Sequence, residues 1–196
     1  MNCYLLADGD TRQAIIIDPG AESGRLIEKI SREQLQLLYM VNTHCHIDHT
    51  AEAGDIQKHF KIPFYIHQQE SPLLDSLRQQ GELFGIAVKE IPVVSSYLQD
   101  GDTLQVGQLN GTVLYTPGHT PGGISLLFGK HVFVGDTLFR DSIGRTDLYG
   151  GNYEQLIGSI TGKLLSLSDD TKVYSGHGPA TTIGHERKYN PFLDNL

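Results

Sequence analysis

Six consecutive residues, His44-Cys45-His46-Ile47-Asp48-His49, hold three of the chain's nine histidines, a thiol and a carboxylate. Free imidazoles gain little from such crowding, whereas a bound cation would explain it. In an extended segment alternate side chains point the same way. His44 and His46 can then aim at one ion while Cys45 turns away and packs as a small apolar residue. If the chain turns after Ile47, Asp48 and His49 face a second position nearby. Asp48 is also suited to cap a helix starting there. Four ligands do not complete two sites, and three other stretches carry the chemistry to do so. His119 lies in "TPGHTPGG", Asp136 in "VGDTLF" and His177 in "YSGHGP". Each follows an apolar strand pattern, where several segments can converge at one sheet edge. A carboxylate has two oxygens, so Asp136 can bridge two cations. One assembly is then His44, His46, His119 and Asp136, and the other Asp48, His49, His177 and Asp136. Of the remaining histidines, His59 and His131 read as exposed or structural. His67 ends a strand and His185 sits in a final helix, both as supports rather than ligands.

The elements that must position these residues are short. "YLLA" and "QAIIIDPG" read as a strand pair turning at Asp8-Gly9-Asp10. "ESGRLIEKISRE" places Leu26, Ile27 and Ile30 at helical spacing, and "LQLLYMVNTH" is a buried strand ending at the histidine cluster. Asp48 to Phe60 predicts a helix, and "IPFYIH" a strand. Ser71 and Pro72 signal a helix start, with Ser71 as the cap. Ile91 to Val134 is mostly strand. Tyr153 to Leu167 and Ile183 to Tyr189 read as helices, with the strand "TKVYSGHG" between them. Pattern alone supports a mixed α and β chain forming one domain, residues 1–196.

Composition excludes several function classes. The chain of 196 residues is long enough to bury a core without disulfides. Its two cysteines, Cys3 and Cys45, are too few for a disulfide framework and suit a reducing cytoplasm. The first residues have neither a basic region nor a long apolar segment, so no secretory signal is expected. No apolar run approaches the roughly 20 residues of a membrane span. With a net charge of −8 and no cluster of four or more Lys/Arg, neither nucleic acid nor a membrane is an expected partner.

Taken together and in this order, "THCHIDH", "TPGHTPGG", "GDTLF" and "SGHG" resemble the metallo-β-lactamase superfamily. "SIGRTD", Ser142 to Asp147, narrows the resemblance to small glyoxalase II-like hydrolases. It implies a four-layer αββα sandwich with two metal ions at one edge. It also implies the seven ligands His44, His46, Asp48, His49, His119, Asp136 and His177. His46 stands where flavodiiron-type members resemble a Glu, which argues against that branch. Asp136 stands where secreted β-lactamases usually lack the bridging Asp, which argues against antibiotic hydrolysis. The expected function is hydrolysis of a small-molecule thioester by a water shared between two divalent ions, zinc first, iron or manganese also suited. Asp48 would take a proton as the tetrahedral species collapses.

The chain also departs from the larger glyoxalase II enzymes. Arg145 and Asp147 stand where those enzymes resemble a Lys and a Tyr, and Pro179 where they have a Tyr. The residues beyond His177 are too few for their C-terminal helical region that helps hold glutathione. Arg145 either meets a substrate carboxylate or is braced by Asp147, and the brace is the expected reading. Two alternatives belong to other classes. One is a mononuclear-iron oxidoreductase resembling persulfide dioxygenases, with iron at His44, His119 and Asp136. The other is a metal-binding protein without turnover.

Overall fold

The computed structural model describes residues 1–194, which fall into two compact units. The first comprises Met1, Cys3–Leu98 and Gln105–Asn110. Its elements are β1 (Tyr4–Ala7), β2 (Gln13–Ile17), α1 (Ser23–Arg32), β3 (Gln36–Val41), α2 (Ile47–Thr50), α3 (Ala53–Phe60), β4 (Phe64–His67), α4 (Ser71–Asp75), α5 (Leu77–Phe84) and β5 (Ser96–Leu98). The sheet runs β1-β2-β3-β4-β5. Only β1 pairs antiparallel; β2, β3, β4 and β5 are parallel neighbours. Parallel strands are covered on both faces and so tend to be continuously apolar, as the wholly buried run Ala14–Ile17 is. Ile30 of α1 joins Ile16, Met40, Phe64 and Leu77 in the core, with Leu26 and Ile27 packed against it.

The second unit comprises Asn2, Gln99–Leu104 and the chain from Gly111 onward. Its elements are β6 (Thr103–Val106), β7 (Leu109–Tyr115), β8 (Ile124–Phe128), β9 (His131–Gly135), β10 (Leu138–Phe139), β11 (Ser142–Ile143), α6 (Tyr153–Ser159), β12 (Lys172–Ser175), β13 (Thr181–Thr182) and α7 (Ile183–Tyr189), the ends of β6 and β7 grouping with the first unit. The main sheet runs β13-β12-β9-β8-β7-β6, and β10-β11 form a small hairpin. Because β7–β8 and β8–β9 are antiparallel, β7 runs the same way as β9, and β12 is parallel to β9. The C-terminal ends of β7, β9 and β12 therefore lie at one edge. Val132, Val134, Leu156, Ile160, Val173 and Ile183 form this unit's buried apolar cluster.

Several local expectations are corrected. The helix expected over Asp48–Phe60 is broken at Ala51–Glu52, because the Glu52 N–H turns to the Pro19 carbonyl at 3.2 Å. Asp48 does not cap it, since His46 precedes α2 and Asp48 lies inside it. Ser71 is not a cap either; a 3-10 turn, Gln68–Glu70, runs straight into α4, with Pro72 in its first turn as expected. The strand-rich stretch expected from Ile91 onward begins only at β5, because the Gln57 amide takes a strand partner's place at Val93. It accepts from Val93 N at 2.7 Å and donates to Val93 O at 2.8 Å. The long helix expected to Leu167 ends in a π-turn, Ile160–Leu164. Among the described residues no helix is long and apolar enough to cross a membrane.

Candidate metal centre

In the first unit the loop after β3 is held open by its neighbours' side chains rather than by a sheet. Thr43 N donates to Asp18 Oδ1 at 2.7 Å, Cys45 N to Glu70 Oε2 at 2.7 Å, and Ile47 N to Gln80 Oε1 at 3.0 Å. The Asn42 amide spans the loop, donating to His49 O and Thr50 Oγ1, each at 2.9 Å. Satisfying alternate N–H groups keeps the segment extended, so Cys45 and Ile47 enter the apolar core while the histidines gather elsewhere. The His44 ring centroid lies 4.1 Å from that of His49 and 4.9 Å from that of His46. Burial and the neighbouring carboxylates of Glu70 and Asp18 push the Cys45 thiol well above its usual range. It is therefore inert as a nucleophile at neutral pH.

One residue that sequence reading passed over organises this half. Asp18 ends the apolar run of β2, is 1 % exposed, and adopts a left-handed backbone. Its Oδ2 accepts from Thr43 Oγ1 at 2.7 Å and from His49 Nδ1 at 3.0 Å. Since the Thr43 hydroxyl hydrogen is given to Asp18, that oxygen accepts from His44 Nδ1 at 3.1 Å. One carboxylate thus fixes the tautomer of both rings and leaves Nε2 as the ligand atom. The available signal was an acid after four buried-type residues and before Pro19-Gly20. Gly20 is required there, because a Cβ would overlap the Asp48 carbonyl oxygen.

In the second unit three loops at the shared strand edge carry His119, Asp136 and His177. The "TPGHTPGG" loop closes on itself through Thr116 N to Gly123 O at 2.9 Å, and Ser159 Oγ donates to Pro117 O at 2.7 Å. Gly176 N donates to Gly135 O at 2.7 Å, tying the Asp136 and His177 loops together. Asn2, also unsignalled by the sequence, pins the latter by donating to Ser175 O and Gly178 O at 3.0 and 2.9 Å. His119 Nδ1 donates to Arg145 O at 2.8 Å, so here too Nε2 is the atom presented. Asp136 Oδ2 then stands 3.8 Å from His119 Nε2 and 3.5 Å from His177 Nε2.

These spacings suit a cation. Ligand atoms about 2.0–2.2 Å from one tetrahedral ion stand roughly 3.3–3.6 Å apart. The Asp136 pairs, and Asp48 Oδ2 to His49 Nε2 at 3.7 Å, fall at or just beyond that span and at or beyond the outer limit of a hydrogen bond. Imidazole and carboxylate donors, with Nδ1 engaged in His44, His49 and His119, are the donor set of a divalent transition metal. The pairs also define their own contrast. Asp141 Oδ1 lies 2.6 Å from His185 Nε2, a hydrogen bond, and the buried Glu186 beside it is committed to Asp141 N and Asn190 Nδ2. His67 accepts from Gln69 N at 3.3 Å, and His59 and His131 are exposed.

Arg145 is clasped by Asp147 through Nε to Oδ1 and Nη2 to Oδ2, both 2.7 Å. The Arg145 guanidinium and the loop's own N–H hold the Asp147 carboxyl down at about 2. Gly144 beside it has no room for a Cβ, which would overlap the Asp136 carbonyl oxygen. Gly144→Ala is expected to lower stability by about 1–3 kcal/mol and to weaken metal uptake, read by urea unfolding and by bound metal on the purified variant.

Comparison with known proteins agrees with this architecture. The sequence profile of the Metallo-beta-lactamase superfamily matches residues 2–177. The chain is 40% identical over 203 residues to hydroxyacylglutathione hydrolase GloC of Haemophilus influenzae, covering 99% of this chain and 93% of that one. Among solved structures it is similar to BLEG-1 B3 metallo-beta-lactamase, with a TM-score of 0.91 and 40% identity over 99% of this chain and 94% of that one. TTHA1623 in a di-iron-bound form gives 0.90 and 36%, over 98% and 94%. The chain belongs to the metallo-beta-lactamase superfamily, a family of metal-dependent hydrolases whose α/β fold it shares.

Proposed function

We propose that the chain is a thioester hydrolase of the glyoxalase II kind. His44, His46, Asp48, His49, His119, Asp136 and His177 would hold two divalent cations, zinc in the first instance and iron or manganese as alternatives. The observation that carries this reading is Asp136, one oxygen of which faces both His119 and His177. The name of the Haemophilus influenzae relative and the di-iron form of TTHA1623 support it.

Two such cations supply a water acidified toward a pKa of ~7 and polarisation of the thioester carbonyl. The chain's residues do the rest. Asp18 and the Arg145 carbonyl hold the His44, His49 and His119 rings with Nε2 forward. Asp48, whose side chain is 39 % exposed, takes the proton as the tetrahedral species collapses. No side-chain nucleophile is needed, and buried Cys45 offers none. Both cysteines are free, in keeping with a cytoplasmic location. The substrate is a small thioester, with neither nucleic acid nor membrane as partner.

The test is turnover of a panel of glutathione and non-glutathione thioesters after reconstitution with zinc, iron and manganese separately. Oxygen uptake with a persulfide is followed in parallel. Thioester hydrolysis without oxygen uptake is expected. Oxygen consumption with one iron per chain would replace this reading with a dioxygenase, and no turnover of any kind would leave only metal binding.

A further inference from the structure

All three ligand candidates of the second unit meet the segment that follows Asp136. The Phe139 ring of β10 stands edge-on to His177, with centroids 6.3 Å apart. Just past β11, Gly144 lies against the Asp136 carbonyl, and the Arg145 carbonyl accepts from His119 Nδ1 at 2.8 Å. The β10–β11 hairpin has little of its own to keep it in shape. Leu138 pairs with Ile143 and Phe139 with Ser142, and a two-stranded hairpin is marginal by itself. Leu138 is buried at its start. Its turn, where Asp141 adopts a left-handed backbone, needs a second anchor.

Helix α7 supplies that anchor. Its Glu186 is wholly buried. One oxygen accepts from Asp141 N at 2.9 Å and from Asn190 Nδ2 at 2.8 Å, and the other from the Thr181 hydroxyl. The Asn190 amide donates in turn to Ser142 O at 3.0 Å. The turn is therefore gripped by its backbone at two consecutive residues. A carboxylate is expensive to bury unless its oxygens are hydrogen-bonded, so packing does not explain a glutamate here, whereas an acceptor for a backbone N–H does. The neighbouring pair, Asp141 Oδ1 to His185 Nε2 at 2.6 Å, is partly exposed and holds a side chain only. Resting on the metal-centre reading above, we propose that Glu186 is a positioning residue for that centre. It acts through the turn. Fixing Asp141 and Ser142 fixes Phe139, Gly144 and Arg145, and with them His177, Asp136 and His119.

Zinc affinity, titrated against a competing chelator, is the first readout. Glu186→Ala is expected to bind zinc about tenfold more weakly than the unaltered protein. Glu186→Gln should restore the affinity. Its amide oxygen still accepts from Asp141 and Asn190, while its NH2 turns to the Thr181 hydroxyl, which can accept. The second readout needs no variant, so it stands even where Glu186→Ala fails to fold. Coupling between the turn and the metal must run both ways. Zinc loading of the unaltered protein should therefore slow amide exchange at Asp141 about tenfold more than at Thr171, whose N–H bonds to Ser168 O at 2.9 Å outside this network. Undiminished zinc affinity in a folded Glu186→Ala protein, no rescue by Glu186→Gln, or equal slowing at Asp141 and Thr171 would overturn the proposal. Zinc uptake by the unaltered protein is read in the same titration, so failure of the metal centre and failure of this coupling are separate results.

Discussion

Asp136→Ala is expected to reduce thioester hydrolysis by roughly a thousandfold or more and to leave the purified protein with one bound cation or none. The expectation follows from the single oxygen that stands 3.8 Å from His119 Nε2 and 3.5 Å from His177 Nε2. In the proposed set an alanine would remove the carboxylate placed to serve both positions, so each would lose a ligand and a share of negative charge. The fold should survive. Asp136 lies in a turn fixed by backbone, with Thr137 N bonded to Val134 O at 3.1 Å and Gly144 N to Thr137 O at 3.2 Å. An unfolding free energy within about 1 kcal/mol of that of the unaltered protein, both metal-free, is expected. Asp136→Asn keeps one oxygen without the charge and should fall between the two. Elemental analysis with steady-state rates checks this; full metal content and full rate in Asp136→Ala would remove the bridging role.

Asp18→Asn is expected to weaken metal binding by about 10–100-fold although Asp18 is proposed as no ligand. The carboxylate accepts three hydrogen bonds, from Thr43 N, Thr43 Oγ1 and His49 Nδ1. An amide has one oxygen, so whichever way it is turned its NH2 meets a donor. Turned toward His49, it forces the ring to accept at Nδ1 and to carry its proton on Nε2, the atom the metal needs. Turned the other way, it opposes Thr43 N in a buried site, a loss of about 1–3 kcal/mol. Titration against a competing chelator reads the first effect and urea unfolding the second. Unchanged affinity in a folded Asp18→Asn protein would mean that the ring orientation is set elsewhere.

The difference between these two residues shows what a sequence makes visible. Asp136, His119 and His177 were legible because each follows an apolar run, and strand direction then places the ends of β7, β9 and β12 at one edge. The alternation of His44, Cys45 and His46 was legible because an extended segment obeys a period of two. Asp18 was not, because its importance comes from Thr43 and His49, twenty-five and thirty-one positions away. Glu70 and Asn2 were missed for the same reason: their partners are distant backbone groups that no local pattern marks. The failed local expectations have that origin too. The α2–α3 break comes from Glu52 turning to Pro19, and the late start of β5 from the Gln57 amide replacing a strand. In each case a distant hydrogen bond outweighed local preference. The brace between Arg145 and Asp147 was legible because both partners lie within three residues and their chemistry is specific.

The central claim is that seven side chains gather two cations. Anomalous scattering at the absorption edge of the bound metal, from crystals of the metal-loaded protein, tests it most directly. Two peaks are expected, with Asp136 bonded to both, His44, His46 and His119 on one, and Asp48, His49 and His177 on the other. A single peak, or peaks at Asp141 and His185 instead, would contradict the account.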